Sequence, residues 1–323
     1  MKMRKKVRIK VQIAFALVVL LIGIKFFMFV NYITSADSAL AVNRPPGVEA
    51  FLPISALVSL RAWLGLGIFD TIHPAALVIF LTAIFISLFL KRAFCSWICP
   101  IGTLSEGLSL LGQKMFKTNY TLPKWLDYPF RSVKYILLTF FVVFIFFGMS
   151  PMEAYSFLQT PYNMIADVKM LTFFQNITAV GMTVIAVLVV LSLLIKQFWC
   201  RYLCPYGALL GLFSVISPWK ITRDSSSCIS CGQCRKACPN QLKVDEALRV
   251  SSPECTGCLS CVEVCPVKGT LSFKLPRKLH RFPSPFALGV TLIAVWFISV
   301  SIAKITGHWE TSIPLEMYKT LIP

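Results

Sequence analysis

Charge is scarce in this chain, and negative charge scarcest: of 323 residues, 14 are Asp or Glu and three are His, against 32 Lys and Arg. Charged residues make up 14% and hydrophobic ones 56%, with a mean hydropathy of +0.72. A composition so poor in polar surface excludes an ordinary soluble core, so the chain is expected to be an integral membrane protein. The net charge of +18 does not point to nucleic acid, because the basic residues cluster beside apolar runs, where they meet anionic lipid.

Five runs approach the ~20 residues that cross a hydrocarbon core: 12–31, 74–91, 133–150, 173–195 and 285–303. Of the 32 basic residues, 26 lie in the N-terminal ten, between Lys91 and Lys134, or between Lys196 and Arg281. Arg44, Arg61, Lys169, Lys304 and Lys319 fall on the other side, and Lys25 lies within the first run. The positive-inside rule then predicts a multi-pass protein of the bacterial inner membrane with a cytoplasmic N-terminus and an external C-terminus. Residues 50–69 are apolar too, but Arg61 at mid-bilayer would cost ~2.5–3.5 kcal/mol, so an interfacial or re-entrant element on the outer face is expected. The basic start, the apolar run and "SALA" at 38–41 resemble a signal peptide. The run is longer than the ~7–15 residues of a signal core, which favours an uncleaved anchor.

"FCSWICPIG" at 94–102 returns as "FWCRYLCPYG" at 198–207, each time where an apolar run ends and an amphipathic stretch begins. The arrangement predicts a parallel duplication of a two-helix hairpin, with equivalent points brought near one another by pseudo-symmetry. The organisation expected is a membrane domain over 1–221, a small polar cytoplasmic α+β domain over 222–281, and a fifth spanning helix with an external tail over 282–323.

The polar domain carries the strongest motif. Cys228, Cys231, Cys234 and Cys238 precede Pro239, and Cys255, Cys258, Cys261 and Cys265 precede Pro266. Both runs read C-x2-C-x2-C-x3-C-P, the spacing of bacterial two-cluster ferredoxins, where the fourth cysteine of each run ligates the other run's cluster. One 4Fe-4S cluster is therefore expected on Cys228, Cys231, Cys234 and Cys265, and a second on Cys255, Cys258, Cys261 and Cys238. Gly232 and Gly257 suit close approach of the backbone to cluster sulfur. Zinc prefers wider paired spacings, and disulfides are disfavoured in a reducing cytoplasm.

The other four of the 12 cysteines are Cys95, Cys99, Cys200 and Cys204. At i and i+4 each pair shares one face of a helix. If the hairpins pack symmetrically, the four thiols could hold a third iron–sulfur or soft-metal centre. Thiol redox chemistry, transient metal handling and plain packing are the competing readings.

In order and spacing, "FCSWICPIG", "WCRYLCPYG" and the two ferredoxin runs resemble the polytopic membrane ferredoxins of the NapH and YccM types, and "RPPGVEAFLPISALVSL" and "HPAALVIFL" look similar to the YccM-like branch. The resemblance implies electron transfer between the quinone pool and a reductase or cytochrome partner, as one subunit of a respiratory redox complex that does no bond-making chemistry of its own. Relatives of the NosR type, with an external flavin domain, and of the CcoG type, which looks like a copper reductase in oxidase assembly, keep a second reading open: a metal-reducing, assembly or redox-regulatory factor.

A quinone site would need a proton acceptor or a polar anchor. His73 and His308 are predicted near the outer surface, the latter beside Trp309 and Glu310, where interfacial anchoring is the plainer role. Lys25 either snorkels or pairs with a quinone oxygen, Asp70 or Glu153. "NIT" at 176–178 matches a glycosylation sequon but falls within the predicted fourth helix and is set aside.

Overall fold

The computed structural model describes residues 2–34, 42–117, 119–276 and 284–322. The "SALA" segment lies outside them, as does the end of the expected polar domain. In chain order the helices are α1 (Lys2–Thr34), α2 (Pro53–Leu66), α3 (Pro74–Leu90), α4 (Ala93–Trp97), α5 (Pro100–Phe116), α6 (Lys124–Phe147), α7 (Pro151–Leu158) and α8 (Pro161–Met164). They continue as α9 (Ala166–Gln175), α10 (Ala179–Leu194), α11 (Pro205–Ile216), α12 (Gln233–Ala237), α13 (Ser260–Val264), α14 (Pro285–Ile305) and α15 (Leu315–Leu321). A 3-10 turn covers Pro46–Phe51, a π-turn covers Trp199–Leu203, and strands β1 (Lys220–Arg223) and β2 (Leu271–Lys274) pair antiparallel.

The molecule is mainly helical. Among the described residues, three helices are long and apolar enough to cross a membrane, α1 from Val7, α6 from Trp125, and α14, or four if α9 and α10 count as one bent span. Only 17% of the apolar window of α1 is buried, and side chains such as Leu17, Leu20, Leu21 and Ile24 lie exposed along it. That surface suits lipid and not water.

The predicted span at 173–195 needs correction. The chain bends by 85° between α9 and α10, so residues 173–175 belong to one helix and 179–194 to another. The sequon set aside as helical is the break itself. Asn176 ends α9 with non-helical φ −114° and ψ 53°, and the Thr178 hydroxyl accepts from the Gly181 N–H at 3.2 Å, capping the restart of α10 as Ser and Thr do at helix N-termini. α2, with 14 residues, rises about 21 Å, too short to span, and ends at Gly67 in the left-handed conformation at φ 73°.

Contacts divide the chain into two compact units: 1–16, 83–138 and 183–295 in the first, and 17–82, 139–182 and 296–323 in the second. The first holds 26 basic and 7 acidic residues, net +19; the second holds 6 basic and 7 acidic, net −1. In the first, β1 and β2 bury Ile221, Leu271 and Phe273, while Trp97, Tyr202, Leu210 and Leu288 are fully buried. The second has a core of Phe26, Phe29, Val30, Ile72, Val168 and Tyr318, with Phe29 and Tyr318 edge to face at 5.6 Å.

Candidate iron–sulfur site

All 12 cysteines are free thiols and all fall in the first unit. Eight of them surround two cavities. Cys228, Cys231, Cys234 and Cys265 line one; Cys238, Cys255, Cys258 and Cys261 line the other. Each cavity thus draws three cysteines from one run and the fourth from the opposite run. α12 and α13 pack against each other, and the prolines after Cys238 and Cys265 hold those cysteines extended, at ψ 120° and 119°.

The two runs repeat a backbone pattern at an offset of 27 residues. Ser230 and its counterpart Gly257 have φ 52° and 59°, and Gly232 and its counterpart Leu259 have φ 67° and 61°. Left-handed residues alternating with ordinary ones turn successive N–H groups inward into a nest for anionic oxygen or sulfur. Consistent with this, the Cys228 thiol is lowered by the Ser230 N–H. Burial pushes Cys238 up to about 12, although its sulfur accepts from the Leu242 N–H at 3.4 Å. The glycines do different work. A Cβ on Gly232 would meet nothing, so its left-handed φ favours glycine without requiring it, as Leu259 shows at the matching position, whereas one on Gly257 would lie 3.2 Å from the Leu90 carbonyl oxygen.

That close approach is part of a junction between the second run and residues 90–97. The Ser96 hydroxyl donates to the Thr256 carbonyl at 2.7 Å and the Trp97 indole N–H to the Gly257 carbonyl at 3.3 Å. Lys91 Nζ donates to the carbonyls of Ser251 and Ser252. Glu254, one residue before Cys255, accepts from Lys134 at 2.7 and 2.6 Å and from the Tyr135 hydroxyl at 2.8 Å, with Arg92 at 3.7 Å. Burial alone would raise the Glu254 carboxyl, but Arg92 and Lys134 outweigh it and hold it low.

The remaining thiols gather beside this junction. Cys95 feels Arg92, Cys99 and Cys204, and Cys200 feels Cys204, Cys99 and Cys95, so the duplicated motifs do come together. They do not share a helix face as the i, i+4 spacing predicts. Cys95 sits in α4 and Cys200 in the π-turn, while Cys99 and Cys204 are the extended N-caps of α5 and α11. Pro100 and Pro205 cause this, since a residue before proline avoids the helical region and proline suits the first helical position. Each N-cap sulfur therefore faces a helix N-terminus: the Gly207 N–H donates to Cys204 Sγ at 3.2 Å, and the Gly102 N–H lowers Cys99 likewise. Burial dominates even so, pushing Cys95 up to about 12 and Cys99 to about 11. The glycine of each C-P-x-G also differs. A Cβ on Gly102 would lie 2.1 Å from the Cys95 carbonyl oxygen, and one on Gly207 only within ordinary contact of Cys204 Sγ, at 3.5 Å. Among the described residues no three His, Cys, Asp or Glu side chains converge on a single ion position.

Known proteins share these features. A family described as a 4Fe-4S binding domain matches residues 72–119 and again 177–223, over both C-P-x-G motifs, and a 4Fe-4S dicluster domain matches 220–266. YccM of Escherichia coli (strain K12), to which an electron-transport role is provisionally ascribed, is 43% identical over 307 residues, covering 94% of this chain and 85% of YccM. The chain belongs to the YccM-like family of membrane ferredoxins. The ferredoxin-type protein NapH of the same organism is 25% identical over 186 residues, covering 54% of this chain and 59% of NapH. No solved structure matches.

In this membrane ferredoxin the residues weighed for a quinone site lie in the second unit. Lys25 is exposed on α1 and pairs with neither proposed carboxylate. Asp70 is buried and accepts from the Ser59 hydroxyl at 2.6 Å and the Ile72 N–H at 2.8 Å, while Glu153 completes a capping box with Ser150 at the start of α7. His308 stacks edge to face on Phe69 at 4.4 Å, and Trp309 is buried against Ala75, Ile79 and Ala303. His73 is fully buried. Its Nε2 donates to the Asn163 carbonyl at 2.7 Å, which leaves Nδ1 facing Arg44 at 3.4 Å and Glu49 at 3.5 Å. Arg44 in turn binds Glu49 and Asp167, each at 2.7 Å. Burial opposes a charged His73, but the Glu49 carboxylate and Asp167 prevail and raise its pKa.

The sequence reading missed the ionic partners: Arg44, Glu49 and Asp167 here, and Arg92, Lys134 and Glu254 at the junction. Arg92 and Glu254 stand three and one residues ahead of cysteine motifs, and that adjacency was the available signal.

Proposed function

We propose that the chain is a membrane-bound electron-transfer protein holding two 4Fe-4S clusters, one on Cys228, Cys231, Cys234 and Cys265 and the other on Cys255, Cys258, Cys261 and Cys238. The observation that carries this reading is the pair of cavities, each lined by three cysteines of one run and the fourth of the other. Such clusters, when bound, take up and release one electron each without bond-making chemistry. The left-handed residues of both runs aim N–H groups where thiolate and sulfide charge would need them. Leu259 at 3% exposure shields the second cavity from water, and Glu254 with Lys134 fixes that run against residues 90–97.

The four thiols of Cys95, Cys99, Cys200 and Cys204 form a third iron–sulfur site in this reading. Two helix N-termini and Arg92 beside these thiols suit an anionic centre there. α3 is the fifth span, at the short end of the ~17–25 residues required. The N-terminus, the ferredoxin runs and the basic segments around them face the cytoplasm and the C-terminus the outside in this reading, which 26 of the 32 basic residues falling in those segments supports. Electrons pass to or from the quinone pool and a redox partner, a role that fits relatives bearing electron-transport and ferredoxin-type names.

Anaerobic purification followed by iron analysis and EPR tests this. Fewer than about eight iron atoms per chain sinks the two-cluster claim. Iron above eight that disappears in Cys95→Ser/Cys200→Ser supports the third site, and no such excess removes it.

A further inference from the structure

Beside the first cysteine run lies a cavity of about 870 Å³ whose walls come from the end of α5, the start of α6, the turn after α10 and the loop after α12. Seven cationic side chains line it against one carboxylate, Asp127. That carboxylate is already spent: it accepts from the Tyr202 hydroxyl at 2.6 Å and pairs with Arg131 at 2.6 Å and Arg201 at 2.8 Å. Arg235 and Lys243 are answered from outside the cavity wall by Asp245 and Glu246. Among the described residues, Lys196 donates to the Lys236 carbonyl, at 3.5 Å, and meets no carboxylate. Lys117 and Lys236 belong to no described ion pair.

The decisive observation concerns three side chains. Arg201 is 2% exposed, yet its Nε and NH1 are buried with no hydrogen-bond partner; Arg131 Nε and Gln241 Nε2 are buried and unpartnered too. All three residues line this cavity. On these three side chains each unmet group is a donor. A buried donor without an acceptor costs ~1–3 kcal/mol, and water would bring donors of its own as well as acceptors. An anion with several oxygens supplies acceptors alone and also neutralises the surrounding charge.

We propose that this cavity is a binding site for a phosphate-bearing anion, held by Arg131, Arg201 and Gln241 at its base and by Lys117, Lys196 and Lys236 around it. Tetrahedral oxyanions match the forked guanidinium donors better than a lone carboxylate does. Two sources share this chemistry: the headgroup of an anionic phospholipid, which the ends of α6 and α10 would admit from the bilayer surface, and a soluble phosphate or pyrophosphate compound. The site stands whether or not clusters fill the cysteine cavities.

The test uses the full chain, delipidated in neutral detergent. Thermal shift and native mass spectrometry are read against pyrophosphate, against phosphatidylglycerol or cardiolipin, and against phosphatidylcholine. Saturable binding of pyrophosphate identifies a soluble ligand; binding of the anionic lipids but not pyrophosphate identifies a headgroup. In both cases Lys117→Gln/Lys236→Gln, which leaves the buried bases intact, should weaken binding ~10-fold or more, the loss of about one charge-assisted hydrogen bond. Arg201→Lys, which keeps the charge but loses the fork, should weaken it further. Binding of phosphatidylcholine as tight as the anionic lipids, no saturable binding of any probe, or affinity unchanged in Lys117→Gln/Lys236→Gln overturns the proposal. So does tight binding of an acidic electron carrier that pyrophosphate and anionic lipid both fail to displace.

Discussion

Lys134 Nζ stands 2.7 and 2.6 Å from the two carboxylate oxygens of Glu254, 120 residues away in the chain. Both side chains are buried, and the pair fastens α6 to the residue preceding Cys255. Leaving a buried charge without its partner costs ~3–5 kcal/mol, and Arg92 at 3.7 Å from Glu254 still answers part of it. Lys134→Met should therefore lower thermal stability by no more than ~3 kcal/mol and reduce iron retention. Lys134→Met/Glu254→Gln should recover part of the loss, because the carboxylate left short of one cation is gone. A double variant as unstable as the single one would show that packing, and not charge, holds the junction.

Crossed ligation predicts which cysteine losses coincide. Cys228→Ser and Cys265→Ser act on one cavity, so combining them should leave about four iron atoms in the ferredoxin runs, the same as Cys228→Ser alone. Cys228→Ser with Cys238→Ser acts on both cavities and should leave about none. If the second combination also retained four, each run would serve its own cluster. Iron analysis of anaerobically purified variants separates the two.

The two C-P-x-G glycines should respond unequally. Gly102→Ala drives a methyl into the Cys95 carbonyl, a rigid backbone atom, and overpacking of this kind costs ~1–3 kcal/mol. Gly207→Ala places its methyl 3.5 Å from a sulfur and should be nearly neutral. Melting temperatures of the two variants, measured side by side, provide the check; equal losses would contradict the asymmetry.

His73 and Glu49 predict opposite pH limbs for the second unit. The pKa of His73 is raised in the folded state, so its contribution is complete below its ordinary value near 6.5 and is lost as pH rises through the folded pKa. Glu49 is held low: burial works against its charge, but Arg44 and then His73 prevail. Its contribution is present above the ordinary carboxylate range and lost as pH falls through the folded pKa. Thermal stability of the wild type should therefore decline as pH climbs above about 6.5, and His73→Gln should flatten that limb. A variant with the same alkaline decline would assign it to another group.

Local spacing made the cysteine chemistry legible. Three ligands within seven residues and a proline after the fourth can be read without knowing the fold. So could the apolar runs of α1, α6 and α14, because lipid imposes one length on all of them. The bend at Asn176–Thr178 was hidden because an Asn and a Thr inside an apolar stretch look tolerable in a helix, and only the Thr178 cap shows the chain restarting. The i, i+4 reading of the paired cysteines failed for a related reason: Pro100 and Pro205 act on the residue before them, and that residue is a cysteine. Partners such as Arg92 with Glu254, or Arg44 with Asp167, lie more than 100 residues apart, and a single sequence marks such a pairing at most by a charge set beside a motif, as at Arg92 and Glu254.

The bonds from Ser96 to Thr256 and from Trp97 to Gly257 each join residues 160 positions apart. At ~5–20 residues per second, the first partner leaves the ribosome roughly 10–30 s before the second. A nascent chain therefore has its docking platform, with four reduced thiols beside it, made and waiting before any of the second cysteine run exists. Delivery of iron and sulfide during synthesis meets the two halves of the redox apparatus in a fixed order, first the membrane thiols and last Cys265.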